Sequence, residues 1–222
     1  MTVSRKANYG FASNGFLIYK LFLYSPVMKL IFATNNQHKV EEIRSVLGNE
    51  LNIITLKEAG IDIDIPEPYD TLEENASGKS RTIYEMTGTS CFSEDTGLEV
   101  MALGGDPGVK SARYAGDNRS FDANIEKLLI NLAGKADRAA RFRTVISLLI
   151  DGRETLFEGI CEGRIIDQKR GKQGFGYDPV FIPAGSDKTF AEMEMEEKNR
   201  FSHRKKATEK LVAFLNNLSP NH

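Results

Sequence analysis

Two carboxylates, Glu94 and Asp95, stand side by side in the stretch FSEDTGLEV, and a third, Glu67, lies upstream in a loop rich in Asp, Pro and Glu. Hard divalent cations take oxygen ligands, and Mg²⁺ typically combines one or two carboxylates with waters and substrate phosphates. Neighbouring residues on one extended strand point to opposite faces, so Glu94 and Asp95 converge on a single ion only if the chain turns there. Thr96-Gly97 is the expected turn; a solvated acidic β-turn is the alternative that needs no ligand.

Other residues along the chain suit a phosphate or a planar ring. TNNQHK, residues 34–39, falls where a strand passes into a helix. A helix start presents free N–H groups and the positive end of the dipole, and Thr34, Asn35, Asn36 and Lys39 add donors. Capping by Asn35 or Asn36 accounts for the same residues without a ligand, and the glycines of a Walker loop are missing. Lys79 shares an apolar helical stripe with Leu72, Ala76 and Ile83, so its ammonium either snorkels to water or points into an anion site. Phe175, between two glycines in GFGYDP, is an aromatic displayed on a loop, a platform for a planar ligand. Ser202 reads as an N-cap, which puts His203, Arg204, Lys205 and Lys206 in a first helical turn. Each exposed cation there opposes the dipole at a cost of about 0.3–1 kcal/mol. Either a ligand compensates or water screens them.

The elements that position these residues are legible from periodicity. KLIFAT is a buried strand; Val40, Ile43, Val46 and Leu47 mark a helix stopped by Gly48; LNIITL is a second strand. The capping box Thr71-x-x-Glu74 opens the next helix. A strand carries Cys91 and Phe92, and LEVMAL is expected to pair nearby after the acidic turn. A glycine loop leads to a helix at 121–133. RFRTVISLLI and ETLFEGICEGRII flank Asp151-Gly152, a strong hairpin signal. A last helix, 203–218, carries Ala207, Leu211, Phe214, Leu215 and Leu218 on one stripe. The order implies an α/β fold, a mixed twisted sheet with flanking helices.

At 222 residues, 41% hydrophobic and 27% charged, the chain suits one domain, expected over 28–218 with residues 1–27 as an extension outside the fold. Lys+Arg 29 against Asp+Glu 31 gives a net charge of -2, which disfavours a nucleic-acid partner. Residues 16–24 are apolar but interrupted by Lys20, far short of the roughly 20 residues a membrane helix needs. Cys91 and Cys161 have neither metal-ligand spacing nor the number for a disulfide framework, which points to a reducing cytoplasm.

Six blocks, IFATNNQHKVEEI, EENASGKS, FSEDTGLEV, LGGDPGVKSARYAG, GFGYDPVFIP and EKNRFSHRKKA, occur in an order that resembles the inosine triphosphate pyrophosphatase (XTP/dITP diphosphatase) family over residues 28 to about 218. The resemblance implies an elongated two-lobed fold of the Maf/Ham1 type with a central substrate cleft. It implies Mg²⁺-dependent hydrolysis of non-standard purine nucleoside triphosphates to monophosphate and pyrophosphate, in a cytoplasmic homodimer. By the same resemblance Thr34, Asn35, Asn36, Gln37, His38 and Lys39 hold the triphosphate, with Lys79 beside them. Glu67 and Asp95 hold Mg²⁺, Asp95 is the proton acceptor for the attacking water, and Thr96 contacts substrate. Phe175 stacks on the purine, Gly176, Tyr177 and Asp178 complete the base pocket, and Lys198, His203 and Arg204 face the base and its O6. Two departures stand out: Glu94 occupies a position where many members have Asp, and is expected in the metal's outer shell, and PEPYDT surrounds Glu67 unusually. A Maf-type pyrophosphatase of other modified nucleotides and a non-catalytic nucleotide sensor are the alternatives. The SHR block and the Phe175 loop argue against the first, and the set Lys39, Lys79, Glu67 and Asp95 against the second.

Overall fold

β1 (Lys29–Phe32) is almost wholly buried and leads through residues 33–36 into α1 (Gln37–Leu47), whose Val40, Ile43 and Leu47 pack inward. The computed structural model describes residues 29–47 and 51–218, so Gly48 and the N-terminal extension lie outside the described residues. β2 (Asn52–Thr55) and α2 (Leu72–Thr87) follow. Thr71 caps α2 by accepting from the N–H of Glu74 at 3.2 Å, and Gly88 ends the helix in the left-handed conformation.

β3 (Cys91–Val100) runs to β4 (Pro107–Gly108), then come α3 (Phe121–Asn131), β5 (Ala139–Ile150), β6 (Arg153–Ile165), β7 (Phe181–Pro183), α4 (Met195–Asn199) and α5 (His203–Leu218). The strands form one mixed seven-stranded sheet in the order β2-β1-β3-β5-β6-β7, with β4 against β3. β1 is parallel to β2 and β3, and the remaining pairs are antiparallel. Asp151 and Gly152 turn the β5–β6 hairpin with positive φ at both positions, as the sequence signal requires. Of the stripe expected on α5, Ala207, Leu211 and Leu215 are buried, whereas Leu218 is exposed.

The turn expected at Thr96-Gly97 does not exist. FSEDTGLEV lies within one continuous strand, because β5 pairs with every residue of β3 from Cys91 to Val100. Gly97 serves a close approach instead: a Cβ there would lie 2.6 Å from the carbonyl oxygen of Gly108.

Register also makes the cleft. β5 occupies one edge of β3 throughout. On the other edge β1 reaches only Phe92, and β4 joins only at Leu98 and Glu99. Between Phe92 and Leu98 that edge carries no strand among the described residues, and Asp95 and Thr96, on opposite faces of β3, both border the gap. On one side lies a core of Leu30, Phe32, Ile43, Phe92, Ile146 and Leu211; on the other, a core of Leu98, Ile125, Leu128, Phe142, Phe181 and Phe190. Each fully buried side chain of this size is worth roughly 1.5–3 kcal/mol, so each lobe has its own means of support.

Candidate active site

The cleft is lined by the β1–α1 turn, by α2, by β3, by the start of α3, by the 175–178 loop and by the α4–α5 region. At the β1–α1 turn, Asn36 is the cap. Its Oδ1 accepts from the N–H of Lys39 at 3.3 Å, and its own N–H donates to Thr34 Oγ1 at 3.2 Å. Asn35 Nδ2 donates to the carbonyl of Ile63 at 2.7 Å. Thr34, Asn35, Asn36 and Lys39 line the cleft; Gln37 and His38 do not.

Lys79 does not snorkel to the surface: it lines the cleft. Its ammonium, on a side chain only 7% exposed, donates to Glu67 Oε1 at 2.6 Å and to Asp95 Oδ1 at 2.8 Å. Burial alone lowers a lysine pKa, but the charges of Asp95 and Glu67 outweigh it and raise that of Lys79. Burial works the other way on Glu67, raising it, yet Lys79, Lys39 and Arg113 draw it down to about 2. For Asp95 burial prevails against Lys79 and Lys39 and pushes the carboxyl above its ordinary value. No protein group among the described residues hydrogen-bonds Asp95 Oδ2.

Glu94 points to the opposite face, as strand alternation demands. Its carboxylate forms a two-point fork with Arg204, Nε to Oε2 at 2.7 Å and Nη2 to Oε1 at 2.8 Å. Lys39 Nζ lies 3.2 Å from the same Oε1. From Arg204 the chain of charges continues through Nη1 to Glu42 Oε2, and from Glu42 Oε1 to Lys198 Nζ at 2.7 Å. It ends where Lys198 Nζ meets Asp178 Oδ2 at 2.6 Å. Burial tends to raise Glu94 and Glu42, but Arg204 dominates with Lys39 or Lys198 behind it, and both fall to about 2. The cations of the α5 first turn are therefore not equivalent. Arg204 is fully buried in an ion ladder, while Lys206 is exposed.

At the far end Phe175 is half-buried between Gly174 and Gly176, both at positive φ, and its N–H donates to Asp178 Oδ2 at 3.0 Å. Lys198 Nζ and Arg204 Cζ lie 5.5 and 5.7 Å from its ring centroid. Tyr177 is buried and donates its hydroxyl proton to the carbonyl of Ser111 at 2.9 Å. His203 stacks on Phe142 with centroids 4.7 Å apart, and its buried Nδ1 has no hydrogen-bond partner among the described residues. Burial, with Arg204 and Lys198 nearby, holds its pKa well below the usual value, so it is neutral at pH 7.

Thus Thr34, Asn35, Asn36, Lys39, Glu67, Lys79, Asp95, Thr96, Phe175, Gly176, Tyr177, Asp178, Lys198, His203 and Arg204 border one cleft. Sequence reasoning missed Glu42, which ties Arg204 to Lys198. The signal was faint: on a helical wheel Glu42 sits about 40° from Val46, at the edge of the apolar stripe. It also missed Arg119, a non-glycine residue at φ 52 whose side chain lines the cleft, and Phe121 beside it.

A sequence model of the Ham1 family matches residues 30–214. A dITP/XTP pyrophosphatase of Christiangramia forsetii is 49% identical over 188 residues, covering 85% of this chain and 99% of that protein. One from Porphyromonas gingivalis is 52% identical, covering 84% and 97%. Among solved structures, the Ham1 protein of Staphylococcus aureus superposes with a TM-score of 0.78 at 41% identity, covering 86% of this chain and all of that one. The Coxiella burnetii HAM1 protein gives 0.79 at 36% identity with the same coverage.

Proposed function

This chain belongs to the Ham1 family, and from that premise we propose that it hydrolyses dITP, ITP and XTP to the nucleoside monophosphate and pyrophosphate. The observation that carries the reading is the division of labour between adjacent residues of β3. Asp95 joins Lys79 and Glu67 at one end of the cleft, and Glu94 anchors Arg204 toward the other.

The phosphates would lie against the α1 N-terminus, Lys39 and Lys79. Within the cleft these cations are already paired with Glu94, Asp95 and Glu67, so a polyanionic substrate calls for added positive charge. The donors suit Mg²⁺: Asp95 and Glu67 are hard oxygen ligands, and Asp95 Oδ2 has no hydrogen-bond partner among the described residues. Among the described residues no group of three or more His, Cys, Asp or Glu converges as a self-sufficient metal cage. Mg²⁺ sites built on one or two carboxylates and substrate phosphates need none. Bound there, Mg²⁺ would neutralise charge on the phosphate oxygens. Asp95 accepts the proton of the attacking water as the water oxygen bonds to the α-phosphorus. The bond from that phosphorus to the bridging oxygen breaks, and Lys39 and Lys79 stabilise the departing pyrophosphate.

Base selection rests on donors. Of the five N–H groups of Arg204, four are committed, two to Glu94 and one each to Glu42 and Thr96. The remaining one, with Lys198 and with His203 beside it in the cleft lining, suits the carbonyl at position 6 of hypoxanthine or xanthine. The amino group of adenine would leave buried donors unpaired, a mismatch that costs a factor of roughly 10⁴. A homodimer in the cytoplasm belongs to the same reading; Cys91 and Cys161 are free, buried thiols, as a reducing compartment allows. Phosphorus NMR of the products tests the reaction. Inosine monophosphate and pyrophosphate are expected from the wild type and neither from Asp95→Asn, whereas inosine diphosphate with orthophosphate would overturn the proposal.

A further inference from the structure

Phe175 is not alone at the mouth of the cleft. The imidazole of His38 lies almost parallel to its ring, with centroids 5.0 Å apart and planes 11° from parallel. Phe121, the first residue of α3, packs against both, 6.1 Å from Phe175 and 6.4 Å from His38, tilted by 48° and 58°. A triangle with these sides puts Phe121 at the edge of the His38–Phe175 pair rather than on the far face of either ring. Phe121 and Phe175 line the cleft, whereas His38, on the second position of α1 and 51% exposed, does not. His38 therefore covers one face of Phe175 from outside the cleft lining.

The backbone around Phe175 explains why a backing wall matters. Gly174 at φ 74 and Gly176 at φ 61 bracket the residue in a conformation that glycine enters freely. The N–H of Phe175 is fixed by Asp178, but nothing in that hydrogen bond fixes the ring. A ring free to rotate must be ordered each time a ligand stacks on it, and the ordering subtracts from the binding free energy.

We propose that His38 is a positioning residue for base recognition. Its imidazole backs Phe175 and holds that ring where a purine stacks on the cleft face, giving three layers: His38, Phe175 and base. The proposal rests on the reading of Phe175 as the purine platform. It gives His38 a different task from its neighbours Asn36 and Lys39. It also ties the helix that grips the phosphates to the platform that reads the base, because one turn of α1 serves both. The groups that face His38 are Phe175, Phe121 and Glu41, whose Oε2 is 4.0 Å from Nδ1. Flat aromatic contact is what the first two require, and phenylalanine supplies it as well as histidine.

Two variants of the full chain, His38→Ala and His38→Phe, separate a wall from a phosphate ligand. Titration calorimetry with Mg²⁺ and the α,β-methylene analogue of ITP, whose α–β bridge cannot be hydrolysed, should show the Kd rising about 3- to 10-fold in His38→Ala, the worth of one aromatic pair, and returning to the wild-type value in His38→Phe. Inorganic tripolyphosphate, which has no base, should bind all three proteins alike. Equal weakening of the analogue and tripolyphosphate in both variants would overturn the proposal in favour of a phosphate contact. Unchanged or tighter binding of the analogue in His38→Ala would overturn it as well, because the imidazole would then be a bystander or a placeholder the purine displaces. A wild type that binds ITP without cutting it would sink the hydrolase reading and leave the His38 comparison standing.

Discussion

Arg204→Met removes the centre of the buried ion ladder and replaces a long side chain with an apolar one of similar reach. Glu94, with a side chain wholly buried, loses both arms of its fork, and Glu42 loses the shorter of its two contacts. Lys39 at 3.2 Å and Lys198 at 2.7 Å remain, so neither carboxylate is orphaned, but each keeps one cationic partner where it had two. Breaking a buried pair from one side costs about 3–5 kcal/mol, most of it the burial of charge without compensation. For a domain of this size that corresponds to a fall in Tm of roughly 6–20 °C. The chain has no tryptophan, so urea unfolding is best followed by circular dichroism. The double variant Glu94→Gln with Arg204→Met removes charge from both sides and should recover a large part of the loss, while neither variant recognises inosine. A cost below about 1 kcal/mol for the single variant, or a double variant less stable than the single, would refute the claim that the ladder is electrostatically closed.

Lys79→Met should lower kcat for ITP by about 10²–10³-fold, the usual effect of deleting one preorganised charge at a reacting centre, checked by a pyrophosphate-release assay. Gly174→Ala forces a side chain onto φ 74 with its Cβ 2.0 Å from Asp178 Oδ2; the strain of about 1–3 kcal/mol should appear as a higher KM for ITP with little change in kcat. His203 gives a pH signature. Because burial holds its folded pKa well below the usual 6.5, the unfolded chain takes up a proton there that the folded chain refuses. The stability it contributes is full above that pH and is lost as pH falls toward the folded value, by up to about 1.4 kcal/mol per unit. Urea midpoints between pH 7 and 5.5 should therefore fall less steeply in His203→Gln, with Glu42 and Glu94 entering only below their usual range.

What was legible in the sequence was what is decided within a few residues. The Thr71 cap, the Asp151-Gly152 hairpin, the Asn36 cap and the inward stripe of α5 are local, and each signal there has one dominant physical cause. FSEDTGLEV misled because acidic residues followed by Thr-Gly carry turn chemistry, and the pairing with β5 that overrides it comes from about 50 residues away in the chain. Lys79 on an apolar stripe is anomalous from the sequence alone, but its partners Glu67 and Asp95 are brought together only by the packing of α2 on β3. The ladder is less visible still. Glu94 meets Arg204 across 110 positions and Glu42 meets Arg204 across 162. No spacing rule announces contacts of that range; the resemblance supplied Arg204 as a base contact, and the fold supplied the carboxylates that aim it.

The most direct test of the account is the ratio of kcat/KM for ITP and XTP to that for GTP and ATP, with Mg²⁺ and with Asp95→Asn as the control. The account predicts turnover of ITP and XTP that exceeds that of ATP by about 10⁴-fold, through donors left unpaired by adenine, and that vanishes in the control. Comparable turnover of ATP would contradict the role given to Arg204, Lys198 and His203, and activity surviving in Asp95→Asn would contradict the role given to the paired carboxylates of β3.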